Sequence, residues 1–272
     1  MIIREYKGGD IPELKKLWKE VFNDRDEFID GFFSLLPGIG SGVVAEEGGK
    51  LLGAAYAVCG QHICSQDEKE GHVCGYIYGL AVKPEERGKG LGKALSTAAR
   101  DMCLEHGADI AALLPAEDWL YAFYEKTLGM HTSLFRKITN IECEDGFEPD
   151  SVTEVTGSEY NVCRSKLLEG KEHVHLSGSS AELERLLCKA YGGGFYACGS
   201  GICAAYEMDG VLIIPEILCD EADKLETAKS AARHLGLKSI AIYEPGNGND
   251  TPYVISDKPE LLKDVIWNLT FD

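Results

Sequence analysis

The chain has 272 residues, 44% of them hydrophobic and 26% charged, with a formal net charge of −18. That length is long for one domain and comfortable for two, and the composition is that of an ordinary globular protein. The charge argues against a nucleic-acid or anionic-membrane partner and favours a cationic one, and no apolar run reaches membrane-spanning length.

Residues 1–6 read as a strand. Asp10 suits an N-cap and Pro12 a first turn, and Leu14, Leu17, Trp18 and Val21 then form one helical face. A second helix over Asp26–Leu36 is expected to stop at Pro37-Gly38. Residues 43–45 and 51–58 form a hairpin around Glu47-Gly48-Gly49-Lys50. The polar run Ser65–Glu70 reads as a surface loop. A buried strand over 73–82 follows, and Pro84 ends it because proline cannot donate to a sheet ladder. Next come Arg87, Gly88, Lys89, Gly90, Leu91, Gly92 and Lys93, and then a helix with an apolar stripe at Leu91, Ala94, Leu95, Ala98 and Met102. It should end near His106-Gly107. A strand over Ile110–Leu114, a helix over Ala116–Lys126 and strand material over Met130–Ile141 complete the first half.

The glycine-rich loop has a definite chemistry. The first N–H groups of a helix lack internal partners, and the helix dipole is positive there. Glycines let the backbone approach a ligand closely, so the loop is an anion cradle suited to phosphate. Two phosphate-loop patterns do not fit. The dinucleotide pattern G-x-G-x-x-G needs glycine at position 93, which is Lys93, and the G-x-x-x-x-G-K-[ST] pattern needs Ser or Thr where Ala94 stands.

Arg87-x-x-Gly90-x-Gly92, in the setting "GLAVKPEERGKGLGKAL", resembles the R/Q-x-x-G-x-G/A signature of the Gcn5-related N-acetyltransferases (GNAT). Trp119–Lys126 followed by Gly129-Met130 is similar to that family's "FYxK…GF" helix and turn. The resemblance covers about the first half of the chain. It implies a mixed, mostly antiparallel central sheet flanked by helices, an α/β (α+β) fold. It also implies acetyl-CoA as cofactor and direct transfer of the acetyl group to an amine. Arg87, Gly88, Lys89, Gly90, Leu91, Gly92 and Lys93 would hold the pyrophosphate. Leu80, Ala81 and Val82 would border the pantetheine arm, with the N–H groups of Leu80 and Val82 as donors; Gly79 reads either as the site of a bulge or as a tight packing contact. Tyr124 matches the acid that protonates the leaving thiolate, and Phe123 reads as core. The general base is not legible. Tyr76, Tyr78, Asp24, Asp26, Glu27, His62, His72 and His131 are candidates, each more readily read as a surface charge or a core aromatic. The acceptor is expected to be a small amine. A non-catalytic acyl-CoA-binding protein is the alternative.

The acidic run Glu142–Ser151 reads as a linker, dividing a domain over 1–142 from one over 143–272. The second half echoes the first at an offset of 130 positions. Thr97-Ala98 falls on Thr227-Ala228, Ile110-Ala111 on Ile240-Ala241 and Pro115 on Pro245. Gly201–Tyr206 has the character of Leu52–Tyr56. This suggests two similar halves in tandem, the second degenerate; an unrelated α+β domain is the alternative for the second half. At that offset Arg87–Gly92 fall on Ile217–Ala222, which have no glycine and carry acids, so no second cofactor is expected.

The chain has ten cysteines but no C-x-x-C pair, and most lie in apolar runs. They read as reduced core thiols, and no metal is expected. Met1-Ile2-Ile3-Arg4-Glu5 lacks a signal-peptide layout, so a cytoplasmic location is expected.

Overall fold

A computed structural model describes residues 1–64, 71–144 and 146–271; the run read as a surface loop over 65–70 lies outside the described residues. The first elements are β1 (Ile2–Glu5), α1 (Ile11–Phe22), α2 (Asp26–Ile39), β2 (Gly40–Glu47), β3 (Lys50–Cys64), β4 (Val73–Val82), α3 (Leu91–Glu105), β5 (Ile110–Leu113), α4 (Asp118–Leu128), β6 (His131–Thr132) and β7 (Phe135–Glu142). Then come β8 (Val152–Glu154), α5 (Gly157–Leu167), β9 (His173–His175), α6 (Gly178–Ala190), β10 (Gly194–Cys198), β11 (Gly201–Met208), β12 (Val211–Leu218), α7 (Lys224–His234), β13 (Ser239–Pro245), β14 (Thr251–Pro252) and β15 (Ile255–Ser256).

The described residues divide into two units, and the division is not a single cut. The first takes 1–63, 71–133 and 253–263; the second takes Cys64, 134–252 and 264–271. Thus β7, which follows the first half's last helix, belongs to the second unit, and β15 belongs to the first.

The first unit's sheet runs β1-β2-β3-β4-β5-β15-β6. All pairs along it are antiparallel except β4 with β5. The stripe expected on α1 is the buried one, with Leu14, Leu17 and Trp18 at 2% exposure or less. α2 runs past the expected stop at Leu36: Pro37 sits inside it, and the last turn is closed by the Gly40 N–H bonding the Leu36 carbonyl. On the other side, α3 and α4 cover a core of Val43, Ala55, Ala57, Ile77, Leu91, Leu95, Ala99, Leu113, Tyr124 and Leu128. Ile255 of β15 completes that core, and Tyr121 donates its hydroxyl to the Tyr253 carbonyl at 3.0 Å.

The second unit's sheet runs β14-β7-β13-β12-β11-β10-β8. Its plan repeats the first. β8, α5, α6, β10, β11, β12, α7 and β13 follow one another as β1, α1, α2, β2, β3, β4, α3 and β5 do, with β9 inserted. The pairing senses also agree: three antiparallel pairs and then one parallel pair. The registers align residues directly. Ala54 faces Ala81 and Tyr56 faces Tyr78; Ala204 faces Glu216 and Tyr206 faces Ile213. Glu216 therefore stands at the place of Ala81, and Ile217 at that of Val82. The repeat is real, but the offset of 130 does not hold across it. Ile217 and Leu218, expected to stand in the second half's loop, are the last residues of β12.

Among the described residues, no helix is long and apolar enough to cross a membrane.

Candidate active site

The site begins with a break in β4. Between Ala54 and Tyr56 of β3 lies one residue, whereas between Tyr78 and Ala81 of β4 lie two, Gly79 and Leu80. That is a β-bulge, and Gly79 takes it with φ +58, as the sequence suggested. Only glycine fits: a β-carbon there would sit 2.9 Å from the Trp18 ring. On its other edge β4 pairs in parallel with β5 only from Cys74 to Tyr76. Beyond Tyr76 the two strands part. The Lys83 N–H bonds the Leu52 carbonyl at 3.0 Å. Alternation then turns the Ala81 N–H toward β3 and those of Leu80 and Val82 toward the open side. Ala81 is buried, while Leu80 and Val82 are half-buried.

A 3-10 turn over Pro84–Glu86 carries the chain from β4 to the glycine loop. Gly88 (φ 77) and Gly90 (φ 85) both lie in the left-handed region, with nothing within 4 Å of where a β-carbon would stand. Gly90 is the N-cap of α3 and supplies no side-chain cap, and the first turn has no acid. The first N–H groups of α3 therefore point outward uncompensated, next to the parted strands. Leu91 is 2% exposed and anchors the helix start in the core. At Gly92 an added β-carbon would lie 3.7 Å from the Phe123 ring, so this ring of α4 borders the cradle.

The basic side chains are arranged unequally. Arg87 folds back and donates from Nε to the Val82 carbonyl at 3.2 Å, across the open edge of β4. Lys89 pairs with Glu86 at 2.9 Å. Lys93 is exposed in the first turn of α3.

Tyr124 lies on α4, 6% exposed, in the same core cluster as Leu91, Leu95 and Leu113. Its ring meets Phe123 edge-on, with centroids 5.1 Å apart. Burial pushes its hydroxyl up to about 12, so it carries its proton throughout the neutral range. Among the described residues the hydroxyl makes no hydrogen bond, which leaves the proton available. Phe123 is half-buried and edges the cradle, so it is more than a core residue. An aromatic that the sequence reading passed over is Trp119, 61% exposed and 6.2 Å from Phe123. An exposed indole one helical turn from a motif residue is the signal that could have flagged it.

The candidate bases are mostly committed elsewhere. Tyr76 is buried and its hydroxyl accepts the Leu114 N–H at 3.0 Å. Asp24 accepts the Trp18 indole N–H at 2.8 Å, and Asp26 pairs with Lys19 at 3.1 Å. His72 lies 3.6 Å from Asp109, and His131 lies 3.6 Å from Glu125. Glu27 and His62 are exposed. Tyr78 stays half-buried, its ring 5.6 Å from Trp18 and 5.7 Å from Phe32.

The corresponding place in the second unit is built differently. The bulge recurs: Ile214 and Pro215 lie opposite Ala205 alone. Pro215 occupies the position of Leu80, and proline has no N–H to offer. Pairing with β13 continues through Ile214, the position of Gly79, so the strands part later than in the first unit. Glu216 is fully buried and accepts from Arg164 Nε at 2.9 Å and from the Tyr160 hydroxyl at 3.1 Å. The loop into α7 is Cys219–Asp223, without glycine, and Asp223 is the N-cap.

Residues 2–127 match the family model described as the acetyltransferase (GNAT) domain. Among solved structures, the chain is similar to a GCN5-related N-acetyltransferase from Kribbella flavida (16% identity, 94% of this chain and 70% of that one, TM-score 0.66). It is also similar to one from Anabaena variabilis ATCC 29413 (13%, 94% and 72%, 0.68). A third is the tandem GNAT protein from the clavulanic acid biosynthesis pathway (14%, 94% and 97%, 0.59). No curated protein matches the chain. Residues 2–127 thus match the GNAT acetyltransferase domain, and the chain is similar in fold to a tandem GNAT protein along nearly its whole length.

Proposed function

We propose that the chain is an acetyl-CoA-dependent N-acetyltransferase with one cofactor site, in the first unit, acting on the amine of a small cationic acceptor. The observation that carries this reading is the junction of β4 and α3. A strand that has parted from its neighbour runs into a helix start that is uncapped, free of acids and open at Gly88 and Gly90. A pyrophosphate fits there because it accepts N–H bonds, is favoured by the dipole and meets no side chain. Acetyl-CoA supplies the thioester, an activated acyl group whose sulfur can leave.

In this reading the N–H groups of Gly90, Leu91, Gly92 and Lys93 hold the pyrophosphate, with Arg87 and Lys93 adding charge. The N–H groups of Leu80 and Val82 fix the pantetheine arm and polarise the acyl carbonyl, where negative charge develops during transfer. Tyr124 gives its proton to the departing sulfur. The side chains of Ala81 and Leu91 act by packing, holding the strand and the helix start in place. The acceptor amine attacks directly, since no cysteine stands in a motif position for a covalent intermediate. The excess of acid in the chain favours a cationic acceptor by long-range attraction.

The test is thiol release from acetyl-CoA against a panel of small amines. Amine-dependent turnover supports the proposal. Tight acetyl-CoA binding with no turnover on any amine would instead favour a non-catalytic binding protein.

A further inference from the structure

A second site of a different kind lies in the second unit. His173 and His175 are the ends of β9. Residues two apart on a strand share a face, so the two imidazoles stand on one side and the fully buried Val174 on the other. Cys64, the last residue of β3 and a member of the second unit, meets them. One ligand atom from each of the three lies within 4.8 Å of the other two.

We propose that Cys64, His173 and His175 bind a zinc ion. A thiolate with two imidazoles is a borderline-soft donor set, which suits zinc and not the oxygen-seeking magnesium or calcium. Zinc sits about 2.0–2.3 Å from such ligands in a tetrahedron. Small side-chain rotations bring three atoms already within 4.8 Å into that geometry. The fourth position is left to water.

A second observation is the orientation of His173. Its Nδ1 lies 2.8 Å from the Lys171 carbonyl. A carbonyl only accepts, so Nδ1 carries the hydrogen and Nε2 keeps the lone pair. Metal-binding imidazoles are held in this way, with the outer nitrogen tied to a carbonyl or carboxylate. The neighbouring Arg164 does not leave an unbalanced charge, because Glu216 pairs with it at 2.9 Å. Binding breaks the Cys64 S–H bond, forms a Zn–S bond and releases one proton to solvent.

The experiment uses the full, untagged chain, stripped with chelator and reduced. Cobalt(II) is titrated first as a coloured stand-in, and zinc then displaces it. The expected result is one ion per chain, tetrahedral visible bands, a thiolate-to-cobalt charge-transfer band and loss of all of them on adding zinc. Cys64→Ser should remove the charge-transfer band. His175→Gln, at a half-buried position, should weaken zinc binding by at least the roughly 10- to 100-fold that an outer-shell partner alone is worth. Cys163→Ser, at an exposed cysteine elsewhere, should change nothing. Zinc should raise the melting temperature of the wild type and not that of Cys64→Ser. Absence of a charge-transfer band in folded wild-type protein would overturn the proposal, as would its persistence in Cys64→Ser. Acetyl-CoA binding by Cys64→Ser should equal that of the wild type, so the two sites fail or stand separately.

Discussion

At the scale of single residues, Tyr124 carries the sharpest expectation. Tyr124→Phe keeps the ring and its edge-on contact with Phe123 and removes only the proton donor. General acids contribute about 100- to 10,000-fold, so kcat should fall by at least ~10-fold with acetyl-CoA affinity nearly unchanged. Steady-state kinetics beside calorimetric titration separates the two effects, and a wild-type kcat would make Tyr124 a packing residue. The pH profile gives an independent check. Because burial pushes Tyr124 up to about 12, kcat/KM should show no alkaline fall from this group near 10, where an ordinary tyrosine loses its proton. The same shift bears on folding. The raised value means that the stability from burying the neutral ring is fully present below the unfolded value near 10, and it is lost as pH rises toward 12. Trp119 is a subtler case: Trp119→Ala should leave the fold intact and weaken acetyl-CoA binding several-fold if the exposed indole packs on the cofactor. The glycine loop was legible in the sequence because each choice there is local. Gly88 and Gly90 are needed for positive φ, and the acid-free helix start is visible in the letters themselves. The commitments of Tyr76 to Leu114 and of Asp24 to Trp18 were not legible, because a hydrogen bond between side chain and distant backbone, or across a turn, leaves no trace in residue type.

At the scale of elements, the two bulged strands show how one frame is opened in one unit and sealed in the other. β4 has Gly79 and Leu80 at its bulge and is free of β5 beyond Tyr76; β12 has Ile214 and Pro215 there and stays paired through Ile214. Gly79→Ala puts a side chain at φ +58 and within 2.9 Å of the buried Trp18. It should destabilise the chain by about 1–3 kcal/mol and weaken cofactor binding in the surviving folded protein, as read by urea unfolding and titration. In β12 the buried Glu216 neutralises the buried Arg164, which also donates to the Val174 carbonyl at 2.8 Å. Glu216→Gln leaves that guanidinium without its counter-charge, and such losses are worth about 3–5 kcal/mol. The second unit's unfolding transition should move accordingly, while acetyl-CoA binding to the first persists. Helices α1, α3 and the strands β3 and β4 could be read from periodicity and caps. The extension of α2 beyond Pro37 could not, because it depends on the Gly40 N–H closing the last turn on Leu36. The pairing of His173 and His175 was available from the strand period, but the third member, Cys64, is more than a hundred positions away and joins them only in the fold.

At the scale of the whole molecule, the chain is two copies of one plan, and the open, glycine-rich helix start is found in the first. The repeat was visible as faint echoes such as Ala54-Ala55-Tyr56 against Ala204-Ala205-Tyr206, which the registers now align. A constant offset misplaced Ile217 and Leu218, because the loop between β12 and α7 is shorter than the one between β4 and α3. The placement of β7 in the second unit and β15 in the first was hidden, since strand exchange alters neither composition nor local pattern. On the proposed reading, coenzyme binds at Gly88–Lys93 and not at the matching place in the second unit. In the second unit Pro215 has no N–H, the strands stay paired further, and Asp220, Glu221 and Asp223 crowd the start of α7. Calorimetric titration of acetyl-CoA into the wild type and into Gly90→Glu tests this most directly. The wild type should bind close to one molecule per chain. In the folded Gly90→Glu variant, whose carboxylate fills and repels the cradle, affinity should fall by at least ~100-fold. Two molecules bound per chain, or unchanged affinity in Gly90→Glu, would contradict it.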